Sequence, residues 1–449
     1  MGHSFVLRSL MLLLLSAFFL PVTAQEDSVI TSTSVNFQIR PRLEIRNGAF
    51  TLLQDGDDPA IFVSNRARVS ADYRYGNLYI GIAGQNYSVY GNTPQIETDG
   101  TFMLNEAWAE LFWQPKWSVK VGRQQLAYDG DRILGTLDWH QSGRWHDLVM
   151  GRYHGKHWKA DLAFAWNQNS ERQIDNPFDP TNSQPYKSLQ MFRIEDQVGE
   201  HFNFSAIYLN LGYQQTDTAG LPDGINNFST VGANVTWSPA SFVVKLAGYY
   251  QFGDDASSLS TDAWMGSARV DWRPSSIPFN FWIGVDYLSG NDARVDSGAF
   301  VYDLADQNAF NPLYGTHHIY YGLMDYFFVA PDHYGTIGIF DKYIGVGVKA
   351  FNRWGFQLAA HHFDGASDIT DANGGDFGTY LGTELDLTFT VKVMKFVGIS
   401  GGYSQMFADD RMEVLKGRGD AGRVQNWGWL MLNVNPQIFK RERKIPKSP

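Results

Sequence analysis

The sequence has no cysteine, which excludes a disulfide scaffold, a thiolate metal site, a cysteine nucleophile and anchoring through an acylated cysteine. Charge is scarce, with Asp, Glu, Lys and Arg making up 18% of 449 residues. Long apolar runs are scarce too. Past the first 20 residues nothing offers the ~18 uninterrupted apolar residues of a membrane-crossing helix. Nor is there a basic excess to attract nucleic acid: 36 Lys and Arg against 47 Asp and Glu give −11. What is abundant is 14 Trp, 22 Tyr, 31 Phe and 44 Gly. That composition suits many strands joined by turns better than the two or three soluble domains the length alone would suggest.

Residues 1–24 read as a secretory signal peptide. His3 and Arg8 precede an apolar core from Leu10 to Leu20, and Val22-Thr23-Ala24 has the small-residue character of a cleavage site. Its removal takes Lys plus Arg from 36 to 35 and leaves Asp plus Glu at 47, so the mature chain carries −12.

The segment after this leader sets the fold class. Val35, Phe37, Ile39, Pro41, Leu43 and Ile45 alternate with Asn36, Gln38, Arg40, Arg42, Glu44 and Arg46. Successive strand residues face opposite sides, so one face is apolar and the other charged. Ala67, Val69, Ala71 and Tyr73 alternate likewise with Arg66, Arg68, Ser70, Asp72 and Arg74, and the pattern returns around residues 158–167, 230–237, 281–287 and 381–392. Soluble strands usually run about 5–6 residues. Runs of about ten or more match strands that cross a bilayer at a tilt.

Short turns fall near residues 76, 115, 155, 198, 239, 274, 352 and 394. Longer polar stretches lie at 47–59, 91–100, 128–140, 168–187, 214–228, 253–261, 290–340, 363–377 and 407–425. This alternation predicts an all-β, transmembrane antiparallel β-barrel of about 18 strands, with short periplasmic turns, long external loops and both termini periplasmic. Sixteen strands is the alternative, since 300–340 has room for a further hairpin and 188–195 is weakly patterned. The expected organisation is a leader over 1–24, a barrel over 25–439 closed near Phe439, and a tail over 440–449. The tail, KRERKIPKSP, is basic and proline-containing and reads as disordered in the periplasm, either solvated or touching peptidoglycan or a partner.

At 62–69, 121–135 and 138–152 the sequence reads FVSNRARV, VGRQQLAYDGDRILG and DWHQSGRWHDLVMGR, and at 311–327 NPLYGTHHIYYGLMDYF. Together these segments resemble the alginate-export family of outer-membrane β-barrels. The resemblance implies a monomeric 18-stranded barrel whose arginine-rich lumen lets a negatively charged polysaccharide leave, with loops or turns covering the pore ends. The residues themselves allow two readings. Arg40, Arg42, Arg46, Arg66, Arg68 and Arg74 share the polar face of two adjacent strands with Glu44 and Asp72, six positive charges against two negative, or +4. Guanidinium forks pair bidentately with carboxylates, and a row of them in a pore concentrates anions such as uronates. Alternatively the arginines pair with wall carboxylates as struts, and Glu106 and Glu110, two strands along, would lower the excess to +2. Lys120 joins the polar face of its strand. Arg123 joins it only if the strand bulges or ends near Gly122. Arg132 and Arg144, in an expected external loop, line the pore mouth if that loop folds inward and the surface otherwise.

Clusters of loop aspartates (Asp55, Asp57 and Asp58; Asp254 and Asp255; Asp364, Asp368 and Asp371; Asp409 and Asp410) read as solvated, or as bridging divalent cations to lipopolysaccharide. Trp117, Trp158, Trp166, Trp237, Tyr249, Trp272 and Trp427 fit interfacial girdles. The pairs His317-His318 and His361-His362 place neighbours on opposite strand faces with no carboxylate at a ligand spacing, so no metal is expected. No cofactor is expected either, and no GxSxG elbow, HExxH helix or His/Asp/Ser constellation points to an enzyme. The expected partners are outer-membrane lipid and lipopolysaccharide, an anionic polysaccharide or oligouronate, and a periplasmic export scaffold. A general or small-solute porin is the alternative function.

Overall fold

The computed structural model describes residues 28–96, 102–174, 176–181, 183–217, 222–302, 305–327 and 336–446. The leader expected over 1–24 lies outside them. The strands are β1 (Ser28–Asn47), β2 (Ala60–Tyr75), β3 (Leu78–Val89), β4 (Phe102–Gln114), β5 (Trp117–Gln124), β6 (His146–His154), β7 (Trp158–Trp166), β8 (Ser188–Val198), β9 (Phe202–Thr216), β10 (Pro222–Trp237) and β11 (Phe242–Asp254). They continue as β12 (Ser260–Trp272), β13 (Phe279–Leu288), β14 (Ala293–Asp296), β15 (Ala299–Val301), β16 (Ile339–Ala350), β17 (Trp354–Asp364), β18 (Ile369–Thr370), β19 (Tyr380–Met394), β20 (Val397–Ala408), β21 (Gln425–Val434) and β22 (Gln437–Pro446).

Nineteen of these form one sheet in which successive wall strands from β1 to β21 pair antiparallel, and β1 closes it against both β21 and β22. Those two share one position, so the result is a closed barrel of 18 strands. They are separated at Asn435-Pro436, and the register against β1 shifts just beyond, between Gln437 and Phe439. Pro436 has no N–H to give a ladder but its carbonyl still accepts from Phe37 N at 3.1 Å. Among the described residues 300–340 holds no further wall hairpin; a hairpin, β14–β15, lies at its leading edge, over 293–301. It pairs with β18 in a separate three-stranded sheet and adds no wall strand. Two expected long loops are short, because β9 and β10 extend to Thr216 and from Pro222, and β11 and β12 reach Asp254 and Ser260.

The disordered tail is a correction. Residues 440–446 continue as β22, pairing from Ser34↔Lys440 to Ser28↔Pro446. Composition suggested disorder because it registers charge, whereas one bonded edge against a 20-residue first strand is enough to hold an exposed basic segment extended.

The face assignment follows parity. Ile39, Leu43, Ile45, Val69, Ile283 and Leu387 are exposed on the outside, while Arg40, Arg42, Glu44 and Arg66 are buried within. Trp117, Trp158, Trp166, Trp237 and Trp272 lie on the outer face. Tyr249 and Trp427 do not: both are buried inside, bonded to Asn234 at 2.6 Å and Glu44 at 3.2 Å. Val69 sits mid-strand, 45% exposed. Val69→Arg is expected to cost about 2–4 kcal/mol in urea unfolding of the vesicle-inserted barrel, and Ser70→Arg, on the lumen face, much less.

Candidate functional site: a lumen crossed by two loops

Between β5 and β6 the chain turns into the barrel. Leu126, Ile133 and Leu134 have no apolar partner outside and are buried against Leu148, Met150, Leu189 and Met191 of the inner wall. Polar side chains then fasten this loop in three directions. Asp129 accepts from Arg193 of β8 at 2.6 Å and from Ser205 of β9 at 2.6 Å. Arg132 crosses to β13 and donates to Asp286 at 2.7 Å, and to Ser267 of β12 at 2.8 Å. Asp138 is held from the other side by Arg40 at 2.9 Å and Arg66 at 2.8 Å. Trp139 lies between the Arg42 guanidinium, 3.9 Å from its ring centre, and the His318 ring, stacked at 4.2 Å. Of the two fates open to Arg132, the inward one is adopted, and the residue is buried.

A second inward loop, from about residue 305 to 327, is knitted to the first. Tyr314 N donates to Ile133 O at 2.9 Å and Gly135 N to Tyr314 O at 2.9 Å, while Thr316 N donates to Asp131 O at 2.7 Å. Arg144 donates to Gly315 O at 2.8 Å, and burial lowers its pKa to about 10. A methyl group on Gly315 would stand 2.2 Å from Arg132 O, so the close approach of the two backbones requires glycine there. His318 pairs with Asp325 at 2.8 Å, and Met324 N donates to Glu384 of β19 at 2.9 Å. The motif segments 121–135, 138–152 and 311–327 therefore meet inside the lumen.

The loops take up part of the basic cluster. Arg40 and Arg66 share Asp138, and Arg42 and Arg46 share Glu44. Adding Asp138 to Glu44 and Asp72 leaves six positive against three negative, or +3. Among the described residues Arg68 bonds the neutral Gln85, at 2.7 Å, and Arg74 bonds Gly76 O, at 3.2 Å, and neither forms an ion pair. Glu110 does not face the cluster: it takes Arg152 at 2.9 Å and Ser118 at 2.6 Å. Glu106 accepts from Trp108 Nε1 at 3.1 Å and forms no ion pair among the described residues. Lys120 lies over the Trp108 ring at 3.8 Å.

Arg123 is a correction. No bulge occurs at Gly122, and the register Ala107↔Arg123↔Asp147 keeps Arg123 on the outer face with Trp117 and Val121. There it pairs with Asp147 at 2.8 Å.

Among the described residues, cavities remain on the lumen side, and two of them lie beside these loops. One, of about 560 Å³, is lined by Arg66, Arg68, Asp138, Gln38 and Ser70. The other, of about 750 Å³, is lined by Arg132, Arg193, Lys245, Arg269 and Arg273 together with Asp129, Asp271, Asp286, Asp341, Asp386 and His361. Most of these charges are paired, as in Arg269–Asp271 at 2.8 Å and His361–Asp341 at 2.9 Å. Lys245 is exposed and forms no ion pair among the described residues. Asp138, Asp286, Asp129, Arg193 and Lys245 were not singled out from the sequence. Asp129 and Asp138 stand inside the quoted motifs, and Arg193, Lys245 and Asp286 hold lumen parity in their strands, so the signals were present.

Residues 32–417 match the family model described as alginate export. Among solved structures, OpdL of Pseudomonas aeruginosa superposes with a TM-score of 0.60 at 13% identity, covering 91% of this chain and 99% of that one. OpdG (OccK9) of the same organism gives 0.59 at 12%, with 90% and 98% covered. OccAB4 of Acinetobacter baumannii gives 0.58 at 10%, with 94% and 100% covered. At these identities the likeness is one of fold. Comparison with curated proteins gives no match.

Proposed function

We propose, from the premise that this chain belongs to the alginate export family of outer-membrane β-barrels, that its channel passes a uronate-type anion, as a polysaccharide or a shorter solute. The protein is a transport channel in the outer membrane. The observation that carries the finer reading is the division of labour among lumenal cations. Arg40, Arg42, Arg66 and Arg132 are tied to carboxylates and hold the loops. Arg68, Arg74, Lys120 and Lys245 share the lumen without a carboxylate partner among the described residues. A passing carboxylate finds donors there that need not first break an internal ion pair, and each contact is exchanged for the next along the wall. The pore is passive, so supply on one side sets the direction.

A small-solute porin is the second reading, favoured by the size of the spaces left by the loops. Volumes of about 560 and 750 Å³ fall within the roughly 300–1,000 Å³ of small-molecule sites. The experiment is single-channel recording in a planar bilayer, with reversal potential under a salt gradient and added oligouronates. The expected result is anion preference, with current blocked by oligouronates and not by neutral oligosaccharides of equal length. Arg68→Gln combined with Arg74→Gln is expected to weaken block by about tenfold or more, since a hydrogen bond to a charged group contributes roughly 1.5–3 kcal/mol. Equal block by neutral and acidic oligosaccharides would sink the uronate reading and leave the porin.

A further inference from the structure

The seam of the barrel leaves one strand half-paired. β22 is bonded along one edge to Ser28–Asn36 of β1. Its other edge has no strand against it among the described residues. β20, the neighbour on that side, begins at Val397 and pairs with β21 up to Val434, so it stops short of Gln437. Antiparallel strands direct alternate backbone N–H and C=O pairs to opposite sides, so β22 presents a row of free donors and acceptors beyond the short-turn end of the barrel. In an outer-membrane barrel that end is periplasmic.

The side chains on this row are exposed and predominantly basic. Lys440, Arg441, Arg443 and Lys444 stand against Glu442 alone, four charges against one, or +3. All five are exposed, and none takes part in an ion pair among the described residues. The register puts Arg441 and Arg443 on the outer face with Phe439, opposite Thr33, Thr31 and Val35, and puts Lys440 and Glu442 on the inner face, opposite Ser34 and Ser32.

The geometry points to β22 as a docking edge for an extended acidic segment of a periplasmic protein, which adds to the barrel as a further strand. Three observations select that occupant. A free ladder edge is satisfied by a polypeptide backbone and not by a glycan, which has no matching repeat of donors and acceptors. A second copy of this chain would set +3 beside +3, and like charges directly opposite on paired strands destabilise the pairing. Those same charges guard the edge against homotypic pairing while favouring Glu- and Asp-bearing strands. The inference depends on which end of the barrel is periplasmic and not on the solute carried, so failure of the uronate reading leaves it untouched.

The test uses the full folded barrel in detergent micelles and a fluorescent synthetic peptide of alternating Glu and Val, followed by anisotropy and by hydrogen exchange of the barrel's amides. The expected result is saturable binding with slowed exchange confined to 437–446 and the adjoining end of β1. A peptide of the same charge with Pro in place of Val, which cannot donate to a ladder, is expected to bind about tenfold more weakly or worse. A peptide with Lys in place of Glu is expected to bind no better than the Pro peptide. On the protein side, Arg441→Glu with Arg443→Glu should reverse the preference between the acidic and basic peptides, with heat-modifiable mobility reporting that the barrel still folds. Should that variant not fold, the three peptides on the unaltered barrel decide the matter. Equal binding of the Pro peptide would reduce the effect to bulk charge and overturn the proposal. So would protection elsewhere in the barrel, no binding of the acidic peptide, or protection of 437–446 by sonicated peptidoglycan fragments in place of the peptide.

Discussion

Replacing Arg132 with alanine is expected to destabilise the folded channel by about 3–5 kcal/mol, the usual cost of leaving one partner of a buried ion pair alone. Asp286, its partner at 2.7 Å, is 1% exposed and lies directly across the β13–β16 ladder from the buried Asp341. Without Arg132 these carboxylates face one another, with the His361 ring the remaining partner of Asp341, at 2.9 Å. Arg132 also donates to Ser267 and sits 3.8 Å over the Tyr320 ring, so its loss loosens both inward loops from the far wall. Urea unfolding of vesicle-inserted protein measures the first effect, and rising current noise the second. Arg132→Lys should recover little, because an ammonium cannot span Asp286 and Ser267 as the planar fork does. Arg132→Ala with Asp286→Asn should recover more than half of the loss, since the stranded charge is then removed as well. If the single substitution leaves the urea midpoint unchanged, the bridge does not hold the loop.

Asp138→Ala releases the same loop from the opposite side, and a several-fold rise in mean open-channel conductance is expected. Arg40 and Arg66, at 3% and 1% exposure, are left with no carboxylate. The stability cost is on the order of 1–3 kcal/mol, below that of a fully buried pair, because the arginines are buried but Asp138 itself is 61% exposed to lumenal water, which screens the interaction. The pair also has a pH signature. Burial alone would raise the Asp138 carboxyl, but Arg40 and Arg66 beside it more than reverse that and hold it below the ordinary aspartate value. A folded pKa below the unfolded one means the native loop binds fewer protons in that interval. Its contribution is therefore complete above the ordinary carboxylate range, declines as pH falls through the interval and is gone below the folded value. Acid should bring unaltered channels toward the conductance of Asp138→Ala, which itself should lack this transition. A transition of equal size in the variant would assign it to another group.

Strand periodicity made the wall legible because a bilayer outside and water inside impose opposite demands on alternate residues. The arginines of β1 and β2 were recognisable as lumenal for that reason. What periodicity cannot supply is the partner of each charge. The pairing of Asp138 with Arg40 and Arg66 depends on a loop entering the barrel, and no alternation marks a loop. Its apolar residues, Leu126, Ile133 and Leu134, were the available sign, since an external loop has no reason to carry them. Glu110 looked close enough to moderate the cluster because strand counting gives separation around the wall but ignores Arg152, two strands away on its other side. Tyr249 and Trp427 were placed by residue type, where their even and odd neighbours would have placed them inside. The tail was judged by charge, and only the pairing with β1 shows it as a strand.

That pairing also orders the molecule in time. β1 is made first, yet the bond from Thr31 Oγ1 to Arg443 O spans 412 positions of the chain. No contact nearer in sequence satisfies that edge, so a growing or truncated chain carries an open, twenty-residue template that invites foreign strands. Every interior hairpin can form locally, but closure is an end-to-end event with the highest chain-entropy demand in the protein. A chain shortened by its last twenty-five residues would lose both β21 and β22. It would have seventeen matched wall strands and no way to become a tube.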